Sequence, residues 1–135
     1  MKPYVSICIP VFKTEELLEE ALQSVLQNDV EHVSKIVEVI IVNDGSTSTN
    51  LQGLSCKQIV KKIKKNTKIK INYIEHSQNM GLVEARRSAL YVAKGEYIFF
   101  FDSDDVLTLT RASYLWRAVP FNIQEGMCNI FARAN

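Results

Sequence analysis

Apolar and polar positions alternate in blocks along this chain, and the blocks change period. Residues 4–9, YVSICI, form a β-rich run closed by Pro10. Residues 14–27, TEELLEEALQSVLQ, switch to one-turn spacing. Leu17, Leu18, Ala21, Leu22, Val25 and Leu26 predict a single apolar stripe on a helix. Thr14 stands at its N-cap, and Glu15 and Glu16 suit its first turn. Residues 36–42, IVEVIIV, are apolar except for Glu38, the pattern of a strand buried on both faces. A helix over 54–65 and an alternating strand over 68–74, KIKINYI, follow. The next helix, 82–94, is stopped by Gly95 as a C′ residue after Lys94, and EYIFFF at 96–101 is the fourth strand. Fainter periodicity predicts a helix near 109–118 and a short strand near 127–132.

This alternation predicts one α/β domain over 1–135, a three-layer α/β/α unit with a mostly parallel, Rossmann-like sheet and right-handed crossovers. Composition adds exclusions. The net charge of +1 supplies no bulk field for nucleic acid, so no nucleic-acid partner is expected. Apolar runs such as VIIV are too short to span a bilayer, and MKPYVSICIP lacks a signal-peptide core. Cys8, Cys56 and Cys128 are too scattered for a disulfide framework or a zinc site, and Cys8 reads as a small core residue. A cytoplasmic location is expected. The stretch KQIVKKIKKNTKIK, Lys57 to Lys70, holds seven lysines around Ile59, Val60 and Ile63. A solvated helix face accounts for them. The alternative is peripheral contact with anionic lipid at the inner face of the membrane.

Open parallel sheets bind ligands beyond the carboxyl ends of their strands. That rule selects Pro10-Val11-Phe12, Asn43-Asp44-Gly45-Ser46, the turn before the 82–94 helix, and Asp102-Ser103-Asp104-Asp105. If the chain stays extended, Asp102 and Asp104 point to one side and Ser103 to the other. Two adjacent carboxylates share a proton or hold a cation, and a hard ion such as Mn²⁺ or Mg²⁺ suits oxygen ligands and phosphate. The alternative is that they cap the next helix or hold a turn. On a helical wheel Arg86 falls in the sector of Leu82, Ala85, Ala89 and Ala93, while Arg87 faces solvent. A core-facing arginine needs an anion: Asp44, Asp102 or a phosphate. Asp44 could accept from a nucleobase or simply hold a turn, and Phe12 offers a stacking surface. His32 and His76 lie in polar, surface-type segments, and no Ser–His–Asp or Cys–His set is expected from them.

Taken in order, VSICIPVF (5–12), ELLEEALQSVLQ (16–27), EVIIVNDGST (38–47), N-x-GLVEAR (79–86) and AKGEYIFFFDSDD (93–105) resemble the nucleotide-binding half of glycosyltransferase family 2, which has the GT-A fold. The resemblance implies a nucleotide-sugar donor, commonly UDP-linked, a glycan or other hydroxyl acceptor, a divalent ion (Mn²⁺ or Mg²⁺), and mostly inverting transfer. It implies that Pro10, Val11 and Phe12 line the base pocket and that Asp44 accepts from the base. It sets Arg86 near the nucleotide. Asp102, Ser103 and Asp104 would form the D-x-D motif, with Asp104 the direct metal ligand and Asp102 toward ribose or metal. Three positions depart from the family pattern: Asn43 for a first Asp, Lys13 for an Asn after the aromatic, and Arg87 for another Asn. Glu125 is the only acid after Asp105, so no general base is named. A non-catalytic nucleotide-sugar-binding domain or an inactive fragment is the alternative reading. A nucleotidyltransferase ranks below both, because CIPVFKTEE contains no glycine for a phosphate loop.

Overall fold

The computed structural model describes residues 5–28, 36–102 and 130–132. The elements are β1 (Val5–Val11), α1 (Glu15–Asn28), β2 (Ile36–Asn43), α2 (Cys56–Lys64), β3 (Lys70–Glu75), α3 (Leu82–Val92), β4 (Tyr97–Phe100) and β5 (Ile130–Ala132). They form one sheet in the order β3-β2-β1-β4-β5. β1 to β4 run parallel and β5 antiparallel to β4. The helix expected near 109–118 lies outside the described residues.

Strand periodicity divides the core into two. Ile7, Ile9, Val39, Ile41 and Phe99 pack with Leu18, Leu22 and Val25 of α1 and Ile59 and Ile63 of α2. The intervening residues Cys8, Ile40, Val42, Ile98 and Phe100 pack with Ala85, Ala89 and Ala93. Helices therefore cover both faces, as a parallel sheet requires. The small alanines let the α3 segment lie close against its face.

Three local expectations change. Leu17 is 43% exposed, because its position on the α1 wheel falls on the flank of the stripe centred on Leu18, Leu22 and Val25. β1 continues through Pro10 to Val11. Cys8 O accepts from Phe101 N, so Pro10, two residues on, also faces β4; but the β1–β4 register ends at Cys8–Phe100, and no ladder bond is lost. Finally, α3 ends at Val92 with an extended C-cap at Ala93, and Gly95 is not a left-handed C′ residue. Its glycine is required by crowding: a Cβ there would lie 2.7 Å from both the N and the Oγ of Ser6.

That crowding belongs to a buried polar clamp. The Glu38 carboxylate accepts from Ser6 Oγ (2.8 Å), Lys94 N (2.6 Å) and Asn72 Nδ2 (2.6 Å), while Gly95 N donates to Ser6 Oγ (2.8 Å). The one acid in the apolar β2 run thus joins three strands to the α3–β4 turn at the sheet edge opposite the ligand-binding ends. Burying it is tolerable because it is hydrogen-bonded on both oxygens.

Candidate functional site

β2 and β3 add to one side of β1, and α3 then returns the chain to β4 on the other side. Strand order reverses between β1 and β4, where an open parallel sheet forms its ligand crevice. Backbone bonds hold the edge together just past the strands: Asp44 N donates to Val11 O (2.9 Å) and Phe101 N to Cys8 O (2.8 Å). A cleft of about 450 Å³ opens there. Pro10, Val11 and Phe12 line one side, Asp44 and Asp102 the floor, and Asn79, Gly81, Leu82 and Ala85 the far wall. The volume suits a small-molecule ligand. Five residues expected from the sequence therefore meet in one cleft. Arg86 is not in its lining, and Ser103 and Asp104 lie outside the described residues.

Asp44 is the most heavily bonded side chain of the site. Its Oδ1 accepts from Met80 N (2.8 Å) and contacts His76 Nδ1 (2.8 Å). Its Oδ2 accepts from Gly81 N (3.0 Å) and Asn79 Nδ2 (3.0 Å). Four donors fill the lone-pair capacity of a carboxylate. The group is only 5% exposed, and no lysine or arginine pairs with it among the described residues. Arg86 is thus not its partner.

His76 contradicts the expectation of a surface histidine. It follows β3, its N–H donates to Asn43 O (2.8 Å), and its side chain is 10% exposed. Nδ1 meets Asp44 and Nε2 meets Ser88 Oγ, each at 2.8 Å. A carboxylate accepts, so Nδ1–H donates to Asp44, and in the tautomer protonated at Nδ1 alone Nε2 accepts a hydrogen bond from the Ser88 hydroxyl. A Ser–His–Asp chain therefore exists, linking β2, β3 and α3, although none was expected from the sequence. The sequence places His76 at the surface and Leu82 and Ala85 on an apolar stripe, and assigns none of residues 76, 79, 81, 82, 85 and 88 to the site. The turn before the 82–94 helix, with the N-x-GLVEAR motif that spans it, is the sequence signal for this wall.

The loops fold around these contacts. Gly45 has φ 76° and presses on the Gln78–Asn79 peptide, where any Cβ would collide with backbone. Asn43 turns away from the cleft; its Oδ1 accepts from Ser46 N (2.8 Å) and its Nδ2 donates to Tyr73 Oη (2.9 Å). Asn43 thus holds the turn after β2 and ties it to β3. Lys13 sits in the left-handed region at φ 60°, its N–H on Ser46 Oγ and its Nζ 5.3 Å from the centre of the Phe12 ring. Asparagine tolerates that backbone conformation better than lysine.

Leu82, placed by the helical wheel at the centre of the apolar sector, is 49% exposed on the cleft wall, while Ala85 and Ala89 are buried. The Arg86 guanidinium lies over the Phe100 ring, 5.0 Å from its centre, a cation–π contact. Its Nε is buried without a hydrogen-bond partner among the described residues. Strand parity sends Asp102 to the same face as Phe100, and it is exposed in the cleft. Asp102 is an exposed carboxylate and Arg86 a guanidinium on the same side of the sheet, charges of the kind that suit a divalent ion and a phosphate. Among the described residues no three ligating side chains gather into a metal site, and Asp102 is the described cleft residue that could hold an ion.

Neither cysteine among the described residues offers a reactive thiol. Burial pushes the Cys8 thiol from 9.0 up to about 12, against a smaller opposing effect of Arg86. Cys56 also rises to about 12, through burial and then the nearby Glu15. Both are free thiols held in unreactive form.

Residues 6–120 match the family model for glycosyl transferase family 2. The chain is 38% identical over 104 residues to the poly(ribitol-phosphate) beta-glucosyltransferase of Bacillus spizizenii, covering 76% of this chain and 15% of that protein. It is 30% identical over 136 residues to glycosyltransferase GlyA of Streptococcus pneumoniae, covering 91% of this chain and 18% of that one. The chain thus spans under a fifth of the length of these two relatives. Among solved structures, S. aureus TarS 1-349 in complex with UDP superposes with a TM-score of 0.66 at 28% identity, over 87% of this chain and 32% of that one. The mannosyltransferase PcManGT of Pyrobaculum calidifontis, in complex with GDP-Man and Mn2+, superposes with a TM-score of 0.71 at 21% identity, over 87% of this chain and 33% of that one. The latter likeness concerns the fold, which is GT-A. By its matched residues, its sheet order and its cleft, the chain belongs to glycosyltransferase family 2.

Proposed function

We propose that this chain is the donor-binding part of a metal-dependent glycosyltransferase, which moves a sugar from a UDP-linked donor to a glycan hydroxyl with inversion. The single observation that carries the reading is the cleft at the switch point, where Phe12, Asp44 and Asp102 converge. The UDP and UDP-GlcNAc complexes of TarS support the donor class. Phe12 is the stacking wall for the base, and Asp102 with Asp104 is the D-x-D pair that holds Mn²⁺ or Mg²⁺. When bound, the ion supplies positive charge against the diphosphate leaving group. Arg86, over the Phe100 ring on the same face as Asp102, carries a positive charge that suits a diphosphate.

The base contact of Asp44 carries a condition. Its four acceptor positions are taken, so one donor must leave before a base N–H can bind. Asn79 lines the cleft through a side chain that can turn away, whereas Met80 and Gly81 donate from backbone. Binding without turnover is the second reading, favoured by one observation. Among the described residues the acids lining the cleft are Asp44, whose acceptor positions are taken, and Asp102, which the reading above commits to the ion. Sugar transfer or donor hydrolysis from UDP-GlcNAc and UDP-glucose, followed by UDP release, decides between the two. UDP release sustained over many turnovers supports the enzyme; saturable binding with no release supports the binding domain.

The proposal extends to a cytoplasmic protein that touches the membrane through the lysine face of 57–70. No helix among the described residues is long and apolar enough to cross a bilayer. All seven lysines of 57–70 are exposed, and Lys62 alone has an ion-pair partner, Glu19 (3.2 Å), among the described residues. Removing these seven lysines from 16 basic residues leaves 9 against 15 acids, a balance of −6 for the rest of the chain. So polarised a distribution supports contact with anionic lipid headgroups.

A further inference from the structure

We propose that His76 is a positioning residue for donor recognition: the Ser88–His76–Asp44 chain aims the Asp44 carboxylate at the base and keeps it aimed when another donor leaves. This rests on the donor-site reading above. Asp44 is buried, and its only side-chain partners among the described residues are His76 and Asn79. Asn79 lines the cleft and is the partner that gives way to a ligand. The carboxylate then keeps the backbone donors Met80 N and Gly81 N, one on each oxygen, and the His76 ring supplies the remaining side-chain bond, on Oδ1, in this poorly hydrated place. The ring is only 10% exposed and cannot swing freely, because Ser88 on α3 holds Nε2 at 2.8 Å while Nδ1 holds Asp44 at 2.8 Å. The His76 backbone is fixed too, its N–H extending the β2–β3 ladder to Asn43 O. A side chain oriented by a third group and in turn orienting an acid is the geometry of a relay. No proton needs to move here, since Ser88 lies outside the cleft lining and serves only to lock the ring.

The two ring nitrogens make separate predictions. His76→Asn places an amide nitrogen near the Nδ1 position and keeps the donor to Asp44. His76→Gln reaches toward the Nε2 position, keeping the Ser88 contact and leaving Asp44 one donor short. UDP binding by calorimetry with Mn²⁺ in excess should stay within about threefold of wild type for His76→Asn and weaken about tenfold or more for His76→Gln. Ser88→Ala, an exchange in helix α3 that spares Asp44, should give an intermediate loss. In the wild-type protein the imidazole Nδ1–H resonance should shift on UDP addition, a readout that needs no variant to fold. A merely structural histidine would lower the melting temperature of both variants alike and leave affinity in the folded fraction unchanged. Equal affinities for His76→Asn and His76→Gln, or an Nδ1–H resonance indifferent to UDP, would overturn the proposal. Failure of the wild-type protein to bind UDP would instead overturn the donor reading on which it rests.

Discussion

Gly45 and Gln78 are packed backbone against backbone. The turn after β2 and the loop after β3 touch at a point where no side chain fits. Through this contact the loop that supplies Asn79, Met80 and Gly81 is pinned over Asp44. Gly45→Ala should therefore combine a left-handed φ penalty with a collision, and cost roughly 3 kcal/mol or more in urea unfolding. Gly53 has nearly the same φ, 79°, but open space around its Cβ position. Gly53→Ala should cost only about 1 kcal/mol, the backbone penalty alone. Equal losses would show that the packing between the two loops is not what requires Gly45.

Lys13 pays that backbone penalty in the native protein, at φ 60°. Lys13→Asn should raise stability by up to about 1 kcal/mol, because asparagine visits the left-handed region more readily. The same exchange removes the cation from the face of Phe12. Thermal unfolding of the two proteins at one pH checks the sign.

Cys8 and Cys56 set an alkaline limit. Both thiols rise from 9.0 to about 12 in the folded chain, so the folded state keeps protons that the unfolded state has lost. Stability from this source is complete below about pH 8 and falls as pH climbs from about 9 toward 12. Replacing both by Ala should flatten that part of the pH profile while lowering its plateau, through the lost packing. Native protein carrying Cys128→Ser should react with a thiol reagent far more slowly than the same chain in urea.

The lysine face predicts salt-sensitive membrane association. Vesicles of phosphatidylglycerol and phosphatidylcholine should sediment the protein at low ionic strength and release it as salt rises. Lys57→Glu with Lys61→Glu should abolish sedimentation and leave UDP affinity unchanged. Binding equally well to pure phosphatidylcholine would refute the electrostatic contact.

Much of this fold was legible because period carries it. The near-continuous apolar run of β2 marked a strand buried on both faces, and the one-turn spacing of α1 and α3 marked the faces those helices turn to the core. The edge of the sheet could be located for the same reason, and Phe12, Asp44 and Asp102 with it. What stayed hidden depends on loop geometry. His76 sits in a polar stretch, and nothing in EHSQN indicates that its ring is buried between Asp44 and Ser88. Backbone donors such as Met80 N and Gly81 N have no sequence signature. Gly95 follows a helix as a C′ glycine does, yet its cause is the nearness of Ser6, a contact 89 residues away in the chain. Glu38 looked like a break in an apolar run, and is instead the centre of a satisfied polar clamp.

The metal-bridged donor site is the central claim, and thermal shift with UDP tests it most directly. Binding to the native state alone raises the melting temperature. UDP with Mn²⁺ or Mg²⁺ should raise it, UDP in EDTA should not, and Asp104→Ala or Asp102→Ala should remove the shift. An equal UDP shift in EDTA, or in either variant, would contradict the account.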